Sequence, residues 1–84
     1  MTEFTKEQAA EIARQLGIDF GVTPFDLDQF TMGVNVELEH GARDPQTNVT
    51  NDDAITTGKI ALAHLREISD YYTRLAEMER AAKG

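Results

Sequence analysis

The chain contains no cysteine. Disulfides, thiolate nucleophiles and cysteine-ligated zinc are therefore excluded, and packing and hydrogen bonds must hold the fold. It also lacks any run of ~18 apolar residues, the length a membrane-spanning helix requires. The opening residues, MTEFTKEQAAE, are polar from the start. Neither a membrane span nor a conventional secretory leader is expected, which makes the cytoplasm the default compartment and the Asn48 sequon irrelevant. No phosphate-cradling glycine loop, nucleotide fingerprint or nucleophile elbow occurs, so catalysis is not expected. No stretch alternates apolar and polar residues as a half-buried strand would.

Basic residues are scarce, with 8 Lys and Arg against 15 Asp and Glu, and the net charge is −7. The imbalance is local. Between residues 19 and 53, Asp19, Asp26, Asp28, Glu37, Glu39, Asp44, Asp52 and Asp53 face only Arg43. The flanking segments nearly balance. Such a field repels a phosphate backbone and attracts cations or a basic protein face. Direct nucleic-acid binding is not expected.

What is present is helix. The 84 residues, 40% of them hydrophobic, suffice for one domain spanning 1–84. A chain of this length buries only ~60–65% of its unfolded surface. Local signals must therefore be good, and they are. Thr5 and Gln8 form a capping-box pattern, with Phe4 and Ala9 spaced as a hydrophobic staple. Ala9, Ile12, Ala13 and Leu16 mark the apolar face of a helix over 6–16, and Gly17 is a natural residue to end it. Asp26 with Gln29, and Phe25 with Phe30, repeat the pattern for a second helix running to about residue 40 and stopping at Gly41. The segment ARDPQTNVTNDD lacks periodicity and reads as an irregular loop around 42–51. It also lacks the alternating acids and central glycine of an EF-hand loop. Thr50 and Asp53 suggest a third cap, and Ile55, Gly58, Leu62 and Leu65 a third helix to Glu67. Ser69 opens a fourth, with Tyr71, Leu75, Met78 and Ala82 on one stripe. The fold class is all-α: a compact four-helix domain with short connections.

Two spacings stand out. The only histidines, His40 and His64, each lie one helical turn from a glutamate, Glu37 and Glu67, in opposite order. At 100° per residue, Glu37 and His40 flank the buried stripe of the second helix, and His64 and Glu67 edge the core of the third. If these helices are antiparallel neighbours joined by the 42–51 loop, the four side chains converge. Gly33 and Gly58, each costing ~1 kcal/mol against alanine in a helix, suggest that the two helices cross at their glycines. Tyr71 falls on the core stripe. Tyr72 falls off it and is the better candidate for an external contact.

The blocks DLDQFTMGVNVELEHG, DPQTNVTNDD and TGKIALAHLREISDYYTRLAEME, in this order and at this spacing, resemble a family of small bacterial and phage-associated proteins. That family is a domain of unknown function, number 5661, and the similarity covers about residues 4 to 80. Where the family pattern leads to expect FPDYY or similar, this chain has Ile68-Ser69-Asp70-Tyr71-Tyr72; serine caps a helix as well as proline starts one. The resemblance implies a compact helical domain and supplies no activity.

The expected function is a non-enzymatic acidic interaction module, a bacterial or phage accessory protein docking on a partner with a basic face. Asp26, Asp28, Glu39, Asp52, Asp53 and Tyr72 are the candidate contact residues. Mimicry of nucleic acid in a basic groove is a sub-case. The alternative is a transition-metal protein binding Zn, Mn or Fe through Glu37, His40, His64 and Glu67, with Asp70 or Glu39 as a further oxygen. In the structural reading of the same pairs, hydrogen-bonded histidines and carboxylates pin one helix to the next. Oligomeric state is left open.

Overall fold

The computed structural model describes residues 3–38, 41–42, 45–46, 48 and 53–83. Four helices account for two thirds of them: α1 (Lys6–Gln15), α2 (Leu27–Glu37), α3 (Ala54–Glu67) and α4 (Tyr71–Lys83). Among the described residues there is no strand.

Both ends of α1 follow from its residues. The Thr5 hydroxyl accepts from the Gln8 amide at 3.1 Å, and the Gln8 side chain accepts from the Thr5 amide at 2.8 Å. Two otherwise orphaned donors are thereby satisfied reciprocally. Gly17 ends the helix with φ at 74°, and the Ile18 amide folds back onto the Ala13 carbonyl at 2.9 Å. That is a left-handed glycine cap, which brings Ile18 back against the core.

α2 is capped by Asp26, whose carboxylate accepts from the Gln29 amide at 2.9 Å. The box is only half formed. Gln29 turns away from the cap, and its Nε2 donates to the Thr73 hydroxyl of α4 at 2.9 Å. The helix ends at Glu37, earlier than periodicity suggests. α3 is capped by Asp53 itself, which accepts from the amide and the hydroxyl of Thr56 at 2.8 and 2.7 Å. Thr50 and most of the expected 42–51 loop lie outside the described residues. α4 begins two residues after Ser69, with the Asp70 carbonyl accepting the Arg74 amide at 3.0 Å.

The core gathers Ala9, Ile12 and Ala13 of α1 with Phe25, then Phe30 and Val34 of α2, Ala61 and Leu65 of α3, and Tyr72 of α4. Phe20 stands edge-on to Phe25 at 6.0 Å between ring centres. Contacts between α2 and α3 advance together along both helices. Phe30 approaches Gly58, Gly33 faces Ala61, and Glu37 reaches His64. The two helices therefore run in the same sense, not antiparallel as expected. A short hairpin loop forces reversal, whereas the fourteen residues between Leu38 and Asp53 are enough to return the chain along the helix.

The glycines are also used differently from expectation. A Cβ on Gly33 would lie 2.6 Å from Cε2 of Tyr72, and one on Gly58 would lie 2.5 Å from Cγ2 of Ile12. Each glycine admits a side chain from a third helix instead of meeting its counterpart. Gly33 receives α4, and Gly58 receives α1.

Candidate functional site

The feature that sets this interior apart is a charged residue inside it. Glu37, in the last turn of α2, is only 5% exposed. A buried carboxylate is costly unless hydrogen-bonded, and Tyr72 supplies the bond, its hydroxyl donating to Oε2 at 2.7 Å. Nε2 of His64 lies 3.7 Å from the same oxygen, an ion pair when the imidazole is protonated. Tyr71 completes the cluster, stacked on His64 with centroids 4.4 Å apart and planes 6° from parallel. It also stands edge-on to Tyr72 at 4.9 Å.

The electrostatics follow from this placement. Burial, and then the Glu37 carboxylate, push the phenol of Tyr72 well above the ordinary tyrosine range. The hydroxyl is held as a donor. A hydrogen bond to a charged group contributes roughly 1.5–3 kcal/mol, so this contact adds to the packing of the Tyr72 ring in joining α4 to α2. His64 sits at the edge, half-exposed, between the interior and water.

The sequence-based site residues divide. Glu37 and His64 come together as expected. Glu67 is exposed at the end of α3, one turn beyond the contact, because the parallel course of the helices carries it past the end of α2. His40 lies outside the described residues. Among the described residues no group of three His, Cys, Asp or Glu side chains converges to hold a metal ion. Asp70, the suggested further oxygen, is bonded to Nε of Arg74 at 2.6 Å.

Of the expected partner-binding residues, Asp26 and Asp53 are exposed but act as helix caps. Asp28 is exposed and pairs with Nζ of Lys6 at 2.7 Å. Glu39 and Asp52 lie outside the described residues. Tyr72 is corrected: it is 1% exposed and cannot be a surface contact. Its neighbour Tyr71 is the half-exposed one. Tyr71 packs against the core at its rim, as its place on the stripe predicts. The helical wheel misplaces only Tyr72, which drops into the notch at Gly33.

Two polar anchors had not been singled out. Nδ2 of Asn35 donates to the Phe4 carbonyl at 3.0 Å, and its Oδ1 accepts the Phe4 amide at 2.7 Å. Gln29 reaches Thr73, with its Oε1 buried and unpartnered. The available signal was an asparagine, a poor helix former, between Val34 and Val36 in mid-helix.

Taken together these features define a small all-α domain whose interior polar groups fasten one helix to another. The chain belongs to the family described as a protein of unknown function (DUF5661), whose family model matches residues 9–81. No curated protein and no solved structure matches it. Among the described residues no helix is long and apolar enough to cross a membrane.

Proposed function

We propose that this protein is a non-enzymatic interaction module, a bacterial or phage accessory protein, that docks on a partner with a basic face through its acidic central region. The observation that carries the reading is the segment joining α1 to α2. Val22 stands 81% exposed in it, and Asp19, Asp26 and, in the first turn of α2, Asp28 are exposed as well. This segment is built, not loose. The Asp19 carboxylate accepts the Gly21 amide at 2.8 Å, and the Asp19 carbonyl accepts the amides of Val22 and Thr23 at 3.1 and 3.2 Å. Thr23 donates its hydroxyl to the Phe25 carbonyl at 2.6 Å, and Phe20 and Phe25 anchor the turn from beneath. A rigid turn that holds an apolar residue in water among carboxylates has its ordering cost met before binding.

The carboxylates would steer a basic partner, and Val22 would supply the apolar contact. The test must spare the caps. Asparagine caps a helix about as well as aspartate, so Asp26→Asn with Asp28→Asn removes charge while keeping α2. Association with a basic partner protein should slow and its salt dependence flatten in this double variant. Equal binding by the variant at low ionic strength would reduce the acidic surface to a solubility device.

A further inference from the structure

α4 leaves the body of the protein after Leu75, and from Ala76 to Lys83 it is exposed. Tyr72 and Thr73 point to α2, through Glu37 and Gln29. On another side of the same helix, Ile68, Tyr71, Leu75 and Met78 line an open groove of about 210 Å³, bordered by Arg74. Ile68 is 43% exposed and Met78 61% exposed. From Tyr71 the apolar positions follow at Leu75, Met78 and Ala82, intervals of four, three and four. That alternation is the heptad seam of a coiled coil, with Leu75 and Ala82 at a, and Tyr71 and Met78 at d.

The flanking residues say what covers the seam. In this register Arg74 occupies g and Glu79 occupies e, and both are exposed. When two such helices lie parallel, g of one approaches e of the next heptad on the other, five residues on. Arg74 then meets Glu79 of the other chain, and two-fold symmetry makes the same contact twice. Tyr72 and Thr73, which hydrogen-bond α4 to its own domain, lie at e and f. Tyr71 and Leu75 rest on the core with one side and line the groove with the other, and that open side, continued by Arg74 at g and Met78 at d, is the seam. We propose that α4 is a self-association helix, pairing in parallel with α4 of a second copy through Leu75 and Met78, with Arg74 and Glu79 setting the register. The two-heptad seam is short, which makes this a weak dimer. Its helices are already ordered by the fold, so pairing carries no nucleation cost. This inference is independent of the acidic turn.

Sedimentation velocity over roughly 10 µM to 1 mM protein should show the average mass rising from one chain toward two. Arg74→Glu should weaken the dimer at least about tenfold, and so should Glu79→Arg alone. The double variant should recover it, as should an equimolar mixture of the two single variants. Arg74→Glu also removes the contact with Asp70, which Glu79→Arg cannot restore, so rescue reports only the contact between chains. Circular dichroism of each variant checks that α4 persists, and the Glu79→Arg arm touches no intramolecular contact. A chain still monomeric at about 1 mM, single reversals without effect, or a charge swap that fails to rescue each overturns the proposal.

Discussion

The first turn of α4 and its last two turns carry comparable apolar residues, yet Tyr72 is 1% exposed and Met78 is 61% exposed. The difference lies in the neighbour, not in the helix. Opposite Tyr72, α2 offers Gly33, where a missing Cβ leaves room for the ring, and Glu37, where a carboxylate waits for the hydroxyl. Among the described residues none covers Met78, and from Ala76 to Lys83 every residue is exposed. An apolar stripe shows which face of a helix avoids water. The surface it meets decides how much of that face is buried.

The sharpest way to break this comparison is to truncate both residues. Tyr72→Ala should cost about 3–5 kcal/mol in urea unfolding, as loss of a buried aromatic does. Met78→Ala should stay within about 0.5 kcal/mol of the parent. Similar losses at the two sites would mean that the outer half of α4 is also part of the cooperative core.

Tyr72→Phe isolates the hydroxyl. It should cost about 1–3 kcal/mol by leaving the buried Glu37 carboxylate short of a donor. The pH dependence has a definite sign. The Tyr72 phenol is raised above its unfolded value, so its contribution is fully present below pH ~10. As pH rises past that value the unfolded chain loses the proton first, and stability falls. An alkaline melt series should show this decline in the parent and a shallower one in Tyr72→Phe.

Gly33→Ala should cost about 1–3 kcal/mol through overpacking, although alanine alone would favour the helix by about 1 kcal/mol. Tyr72 is too enclosed to yield. Ala76→Gly, on the exposed part of α4, should cost only about 1 kcal/mol, the propensity difference. A Gly33→Ala variant more stable than the parent would show that the notch does not hold the ring.

These sites also mark how far the sequence could be read. The four helices, the capping box at Thr5, the Asp26 cap and the core-side position of Glu37 follow from local spacing and helical phase, which neighbouring residues alone determine. The relative sense of α2 and α3 does not. It depends on the path between Leu38 and Asp53, where composition signals a loop without giving its direction. Tyr72, Gln29 and Asn35 were missed for a related reason. Each finds its partner 31 to 44 residues away, and no periodicity within one helix records such a meeting.

Smaller effects sharpen the polar side of the comparison. Thr56 holds the Asp53 carboxyl below the usual aspartate range, through its amide first and then its hydroxyl. Arg14, then Gln15, hold Glu11 at about 2. Both are depressed, so their stabilising contributions are present above pH ~4 and vanish as pH falls through the folded values. Both groups are exposed, and the acid limb of the melt should be shallow. Asp53→Asn, which keeps a capping oxygen, should flatten it further. The smallest expected effect is that of chelator. With Glu37 Oε2 bonded to Tyr72, purified protein should contain no stoichiometric transition metal, and its melt should ignore chelation. Bound metal whose removal lowers the melting temperature, with His64→Ala abolishing that response, would make Glu37 and His64 ligands.

The double bond between Asn35 and Phe4 has a consequence for hydrogen exchange. The Phe4 amide lies before α1, where fraying would ordinarily let it trade its proton with solvent almost at once. Here its acceptor belongs to α2, 31 residues on in the sequence. That amide exchanges when the Phe4 segment parts from Asn35, so its rate measures how firmly the start of α1 is tied to α2. In Asn35→Ala the same proton should exchange at the pace of an unprotected peptide, while the amides in the middle of α1 remain slow.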